Sequence, residues 1–355
     1  MKISIVVADI TFKGGIERVT CNLANDFLEN YEVEIISFFK SNENINYNLK
    51  DQIKVKYITD EIYEGKPGSM KRLIKFIKVF FKINFYLKKQ EINFIISQGM
   101  PVALILFPLN FMKKKVIACE HVHYDYYNKI IKWLRNRLYK YYHKVVVLTS
   151  KDKEKFERKL NNVKCIPNYI SKISKKKSLL NNKVIISVGR LEEQKGYDIL
   201  IDICSNILPN YPEWKLKIFG EGNLKKELEN QIIQKKIEKQ ILLMGTTNEI
   251  EKEYLKSDIY VMSSRFEGMP MVLLEAQSYG LPIVSFNCPN GPSDIVENEV
   301  NGYLVENFNQ KQMEEKIEML VKNENIKWSM GENGRKSIEN FSKEKILEKW
   351  QSLFL

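Results

Sequence analysis

The chain is poor in the residues that build covalent or metal cross-links. Its five cysteines, Cys21, Cys119, Cys165, Cys204 and Cys288, are scattered, odd in number and free of any Cys-x-x-Cys spacing. A disulfide framework and a structural zinc are therefore not expected, and a reducing compartment is. Histidine occurs only three times, without metal-type spacing, and no Asp-x-Asp pair occurs to hold a divalent cation. The longest apolar run, Val102–Met112, is broken by Pro108 and Asn110 and falls short of the roughly 20 residues that span a bilayer. Met1-Lys2 leads directly into a strand pattern, with no charged start, apolar stretch and small-residue cleavage site, so a cytoplasmic chain without a membrane anchor is expected. Gly-x-Gly-x-x-Gly is absent, and Phe219-Gly-Glu-Gly222 lacks the third glycine, so NAD binding is not supported. No repeat of solenoid length occurs.

What the chain does have is size, apolar content and misplaced charge. Hydrophobic residues make up 44% of the 355, and a chain of this length is expected to form two domains of about 150–200 residues. Residues 1–168 hold 30 Lys/Arg against 17 Asp/Glu, net +13, whereas residues 169–355 hold 26 against 27, net −1, returning the overall +12. A lysine-rich composition would raise both halves alike. The excess concentrates in Lys71–Lys89 and Lys129–Lys140, which read as amphipathic helices with bulky apolar residues on one face and cations on the other. That is the pattern of helices lying on an anionic membrane surface. Ordinary helices with a solvated basic face show it too. Nucleic acid is not an expected partner, because no binding module accompanies the basic stretches.

Short β-branched runs alternate with helical stretches. The runs are Ile3–Ala8, Val33–Phe39, Lys54–Ile58, Phe94–Ser97, Val116–Cys119 and Val145–Thr149, then Val184–Val188, Leu216–Phe219, Ile241–Met244, Ile259–Met262 and Pro282–Phe286. Such alternation predicts parallel sheets covered by helices, one doubly wound α/β domain in each half, with ligands at the carboxyl ends of the strands. The basic, turn-like segment 168–182 reads as the linker. Gly14 and Gly15 stand between the first strand and a helix beginning near Ile16, where glycine permits positive φ and close backbone approach to a phosphate or sugar.

The richest segment is Ser263-Ser-Arg-Phe-Glu-Gly-Met-Pro-Met-Val-Leu-Leu-Glu-Ala-Gln277. It follows a buried strand, places Pro270 where a first helical turn tolerates proline, and sets Glu267 and Glu275 on either side of that turn. The free N–H groups between the two carboxylates form an anion site. With Phe266, Gly268, Pro270 and Leu274-Glu275-Ala276 around it, the segment resembles the Glu-x7-Glu motif of family 4 retaining glycosyltransferases. These are nucleotide-sugar enzymes of the GT-B fold. Further blocks match in order along nearly the whole chain: Gly14-Gly-Ile-Glu-Arg-Val19, Val188-Gly-Arg-Leu191, Lys195-Gly-Tyr-Asp-Ile-Leu200, Phe219-Gly-Glu-Gly222, Met244-Gly-Thr246 and Ser285-Phe-Asn-Cys-Pro-Asn-Gly-Pro-Ser-Asp-Ile295.

The resemblance implies two Rossmann-like doubly wound domains facing each other across a cleft. An acceptor-binding domain would span 1–168, completed by a C-terminal helix at 341–355, and a nucleotide-sugar-binding domain would span 169–340. By the same resemblance Arg190 and Lys195 neutralise the departing diphosphate, with Gly196 letting their loop approach closely. Glu275 holds the ribose, Glu267 holds the donor sugar, and the N–H groups of Gly268, Met269 and Met271 orient that sugar. Val272 and Leu273 lend N–H groups to the phosphate, and Gly245 and Thr246 form the wall behind the nucleobase. In the first domain His121 matches the family's cleft histidine and His123 competes for the role, while Glu120 either orients a histidine or binds acceptor. No nucleophile for a covalent intermediate is evident, and the family's retention is explained by same-face attack in which the leaving phosphate takes the acceptor proton.

The implied reaction is retaining transfer of a hexose or N-acetylhexosamine from a UDP-sugar to a lipid-linked saccharide, at the inner membrane face, with no cofactor and no metal. The segment Ser285–Pro292 resembles a subgroup using UDP-galactose, UDP-N-acetylgalactosamine or UDP-N-acetylglucosamine. Two other readings share the fold: a UDP-sugar epimerase, which should lack the Glu pair, and a non-catalytic membrane scaffold, which should have lost Arg190, Lys195 or Glu275.

Overall fold

The computed structural model describes residues 1–63, 70–112, 114–171 and 173–355, with the side chains of 70–73 also outside the description. The chain forms two compact units, Met1–Ile166 with Lys349–Leu355, and Pro167–Glu348. The division differs in detail from the expected one. Residues 342–348 stay with the second unit, where Ile170 donates to the Phe341 carbonyl at 3.1 Å and bridges Ser342. Only the last residues return to the first unit. There Phe354 packs against Phe27, Tyr31 and Phe94, with ring centroids 5.4, 5.5 and 4.9 Å apart.

The first unit is built on a seven-stranded sheet of order β3-β2-β1-β4-β5-β6-β7. Its strands are β1 Lys2–Val7, β2 Glu32–Ser37, β3 Lys54–Tyr57, β4 Phe94–Gln98, β5 Lys115–Cys119, β6 Lys144–Val147 and β7 Val163–Cys165. Every pairing is parallel. Helices on the faces bury the central strands on both sides, which is why β1 and β4 are mostly apolar without alternating, broken only by the buried Ser4, Ser97 and Gln98. Val6, Ile95, Val116 and Val145 join Val79, Ile83 and Leu87 of the helix Met70–Lys88 in one core.

The second unit carries a six-stranded sheet of order β10-β9-β8-β11-β12-β13. Its strands are β8 Val184–Val188, β9 Lys215–Phe219, β10 Ile241–Gly245, β11 Ile259–Met262, β12 Ile283–Phe286 and β13 Gly302–Val305, again all parallel. The helix Tyr197–Ile207 lays Leu200, Ile203 and Ile207 onto Ile185, Leu216 and Ile218. Both units are doubly wound, and in each the strand order reverses beside the first strand, at β1/β4 and at β8/β11. Those are the points where loops diverge and leave a crevice at the carboxyl ends.

Two strands escaped the sequence reading, and both lie at sheet edges. β7 has three residues with Lys164 exposed, and β13 opens on a glycine. β7 lacks double-sided burial, and β13 is largely buried but only four residues long.

Candidate functional site

In the second unit the loops after β8 and β11 leave the sheet side by side and are tied together. Arg265 anchors them: its guanidinium grips Asp198 through two bonds of 2.9 and 2.6 Å and reaches the Glu193 carbonyl at 2.7 Å. Burial alone would raise the Asp198 carboxyl, but the Arg265 and backbone donors carry it below its ordinary value. The Arg265 amide donates to the Gln194 carbonyl at 2.8 Å, and the Gln194 side chain donates to the Phe266 carbonyl at 3.0 Å. Gly196 makes the close approach possible. Its φ is +64°, and a Cβ there would stand 2.2 Å from the Ser263 carbonyl oxygen, so both conformation and space demand glycine.

This tie sets Lys195 against Glu267. The Lys195 ammonium donates to Glu267 Oε1 at 2.7 Å, and the Ser264 hydroxyl donates to the same oxygen at 2.7 Å. The carboxylate is buried, at 6% exposure, and the two donors supply the partners that a buried carboxylate needs. Arg190 behaves differently. It is exposed and its ion-pair partner is Glu192, at 3.5 Å.

The helix Met271–Ser278 begins one residue later than the proline position suggests, with Pro270 as its N-cap. Leu273, expected to offer its N–H to a phosphate, already donates to the Pro270 carbonyl at 3.0 Å. That leaves Met271 and Val272 as the first-turn donors. Glu275 lies one turn further on and accepts from the Tyr254 hydroxyl at 3.2 Å. Gly268 and Met269 sit in the loop before the helix. Gly291, with φ +95°, presses on that loop so closely that a Cβ would meet the Gly268 carbonyl at 2.8 Å. The segment 285–292 is thereby placed against the loop bearing Gly268. At the end of β10, Gly245 turns the chain with φ +68° and Thr246 is exposed.

In the first unit Gly14 caps the helix Gly15–Phe27 with φ −147°. Neither Gly14 nor Gly15 uses positive φ, so the expected conformational reason fails. A Cβ on Gly14 would stand 2.5 Å from the Glu17 carboxylate, whereas one on Gly15 would meet nothing within 4 Å, so the fold itself leaves room for a side chain at Gly15. The preceding loop is held by the fully buried Asp9, which accepts from the Thr11 amide and hydroxyl and from the Ser41 amide at 2.9, 2.6 and 2.9 Å.

At the ends of β4 and β5, His121 Nε2 lies 2.5 Å from Gln98 Oε1. Burial pushes the His121 imidazole down to about 4, so the ring is neutral at pH 7 and donates its Nε2 proton to Gln98. His123, two residues on, packs edge-on against Tyr126 at 5.9 Å, and burial lowers its pKa as well. Glu120 orients neither histidine among the described contacts. It is buried, accepts from the Tyr139 hydroxyl at 2.7 Å and lies 4.0 Å from the Arg135 guanidinium. Burial pushes its carboxyl up to about 7, against the opposing pull of Arg135 and Tyr139. An acceptor-binding role for Glu120 is at odds with that enclosure.

Comparison with known proteins decides the family. The model described as Glycosyl transferases group 1 matches residues 170–337, and that described as Glycosyltransferase Family 4 matches residues 13–171. An uncharacterized glycosyltransferase of Haemophilus influenzae is 30% identical over 365 residues, covering 99% of each chain. The chain is a GT-B glycosyltransferase of the family 4 type. A Campylobacter jejuni relative named GalNAc-alpha-(1->4)-GalNAc-alpha-(1->3)-diNAcBac-PP-undecaprenol alpha-1,4-N-acetyl-D-galactosaminyltransferase is 27% identical, covering 99% of this chain and 98% of its own. Among solved structures, a variant of Staphylococcus aureus TarM in complex with fondaparinux, alpha-GlcNAc-glycerol and UDP superposes with TM-score 0.84 at 20% identity, covering 99% of both chains. Anabaena HepE in complex with UDP and glucose gives 0.79 at 18% identity, covering 99% of this chain and 98% of that one. These likenesses place the fold of the glycosyltransferase.

Three residues of its crevices were missed in the sequence: Gln98, Ser264 and Arg265. A glutamine ending an apolar strand carries no chemical signature. Ser264 and Arg265 stood inside the quoted motif, but only the structure shows that one shares Glu267 with Lys195 and the other fastens the two loops. Among the described residues no three His, Cys, Asp or Glu side chains gather as a metal set.

Proposed function

We propose that the glycosyltransferase is retaining and transfers a hexose or N-acetylhexosamine from a UDP-sugar to a lipid-linked saccharide. The observation that carries this reading is the Lys195–Glu267 contact at 2.7 Å, at the strand-order reversal of the second unit. A cation beside a nearly buried carboxylate there offers one group to the diphosphate and one to sugar hydroxyls. Both Lys195 and Ser264 bond Oε1, and the second oxygen of Glu267 is assigned to the donor sugar. Lys195 and Arg190, with the first-turn amides Met271 and Val272, stabilise the charge that grows on the leaving phosphate, usually the largest share of such catalysis. The ribose falls to Glu275, the nucleobase to Gly245 and Thr246. His121, neutral and held by Gln98, remains the first unit's candidate for the sugar, ahead of His123. The leaving phosphate then takes the acceptor proton on the same face of the sugar, which retains the anomeric configuration.

The choice of UDP is supported by the UDP in the TarM and HepE complexes, and the lipid-linked acceptor by the undecaprenol named for the Campylobacter relative. No helix among the described residues is long and apolar enough to cross a membrane, and the basic first half supplies the attraction to an anionic membrane surface. A screen of UDP- and GDP-sugars against an undecaprenyl-diphosphate-linked saccharide, with the product anomer read by NMR, tests the proposal. Transfer from a UDP-sugar with retention, undiminished in EDTA, is the expected result. Inversion, a GDP-sugar preference, or loss of activity on chelation that Mg²⁺ or Mn²⁺ restores would overturn the corresponding part.

A further inference from the structure

Two helices of the first unit expose their apolar side chains where solvated helices carry polar ones. On the helix Met70–Lys88, Val79, Ile83 and Leu87 are buried, as the amphipathic pattern requires. A second apolar stripe, Ile74, Ile77, Phe81 and Phe85, recurs at the same helical spacing on the outward face, with Phe81 67% exposed. The helix Lys129–Leu138 turns Ile131 toward the core and keeps Lys129 and Arg137 exposed, but departs from the pattern at Ile130, Trp133 and Arg135. It buries Arg135 completely and exposes Ile130 at 79% and Trp133 at 62%. The buried guanidinium is accounted for by the Tyr124 carbonyl at 3.0 Å, by Glu120, and by the faces of Phe156 and Tyr124 at 4.4 and 4.7 Å. Nothing comparable accounts for the outward tryptophan and isoleucine. Phe111 and Tyr141, ring centroids 5.5 Å apart, are exposed in the same unit.

We propose that these side chains insert into the headgroup–acyl boundary of a lipid bilayer, so that the first unit is anchored by apolar burial as well as by charge. The inference rests on the membrane reading above and adds the mode of attachment. Charge selects lipid over a second copy or a protein partner. Lys78, Lys82 and Lys88 are exposed beside the outward stripe, Lys89 lies over the Phe85 ring at 4.1 Å, and Arg137 lies 5.7 Å from Trp133. Lysine is depleted at the core of protein–protein interfaces. It is enriched, together with Trp, Phe and Ile, on helices that lie in the membrane interface with their cations reaching the headgroups.

The test uses the full chain and vesicles of phosphatidylcholine with phosphatidylglycerol, some carrying brominated acyl chains, at about 0.1 M and about 1 M salt. Exposed charge attraction is nearly screened at the higher salt, where the Debye length is about 3 Å. The expected result is a fraction that stays bound at high salt, with bromine quenching of tryptophan fluorescence that disappears in Trp133→Phe. Phe81→Ser with Phe85→Ser, and separately Ile130→Ser with Trp133→Ser, should each lower high-salt partitioning by at least about tenfold. Donor hydrolysis and melting temperature should stay unchanged, since these positions are exposed and remote in sequence from the donor loops. Complete release at high salt without quenching would refute insertion and leave electrostatic attachment standing. Indifference to every vesicle would refute both. A wild-type dimer that these substitutions convert to monomers, without vesicle binding, would give the surface to a second copy instead.

Discussion

A single hydrogen bond distinguishes His121 from an ordinary cleft histidine. Gln98 holds Nε2 at 2.5 Å, and burial keeps the ring neutral down to about pH 4. The folded pKa lies below the ordinary 6.5, so the folded chain binds fewer protons than the unfolded one within that interval. The His121 contribution is therefore present above about pH 6.5 and lost as the pH falls toward 4. Replacing the amide by a carboxylate, Gln98→Glu, should raise the His121 pKa above its ordinary value, because a negative acceptor favours the imidazolium. With three histidines in the chain, an NMR titration resolves this directly. The wild-type His121 signal should stay flat above about pH 5 and the variant's should titrate near neutrality. A wild-type His121 that titrates normally would contradict the burial of the ring, and a Gln98→Glu variant whose His121 stays as flat as the wild type would remove Gln98 from its positioning role. None of this was legible in the sequence, where Gln98 is one polar residue at the end of an apolar strand. Glu267 was legible because glycine, proline and a second glutamate surround it at fixed spacing.

Among the elements, the loop Gly189–Gly196 has the most at stake. Its geometry depends on Gly196, which must be left-handed and must clear the Ser263 carbonyl. Gly196→Ala should destabilise the second unit by about 1–3 kcal/mol and weaken UDP binding, because displacing the loop moves Lys195 from Glu267. Thermal melting and titration calorimetry would check both, and unchanged values would mean that the loop adapts without cost. The central strands were readable because burial on both faces leaves nearly continuous apolar runs such as Ile3–Val7, interrupted only by Ser4. The edge strands β7 and β13 were not, being only three and four residues long, β7 with an exposed lysine and β13 opening on a glycine. The helix Lys129–Leu138 marks the limit of pattern reading. An amphipathic period identifies two faces but not which single cation turns inward, and Arg135 did so against Glu120, Tyr124 and Phe156 while Ile131 kept to the core. The helix Met70–Lys88 carries the same lesson for its cations. Lys75 bonds the Ile62 carbonyl at 2.8 Å and Lys78 pairs with Glu61 at 3.5 Å, while the side chains of Lys71 and Arg72 lie outside the described residues. Lys82, Lys88 and Lys89 are the better cations to neutralise.

On the scale of the whole molecule, two units share a plan but divide the expected work. The second gathers Lys195, Glu267 and the first-turn amides at its strand-order reversal, and the first carries the charge excess and the outward apolar residues. The account predicts that Lys82, Lys88 and Lys89 changed together to glutamine will weaken attachment to anionic vesicles at low salt while sparing donor hydrolysis. Parallel loss of both would mean that the division does not hold. The central claim is that fixed cations of the second unit stabilise a departing nucleoside diphosphate. Measuring kcat/KM for the preferred UDP-sugar in Arg190→Ala and Lys195→Ala tests it most directly, with melting temperatures to confirm that each variant is folded. Each substitution should lower kcat/KM by about 10²–10³, equivalent to about 3–4 kcal/mol of transition-state stabilisation. Near-normal turnover in both folded variants would contradict the assignment of the diphosphate to this loop.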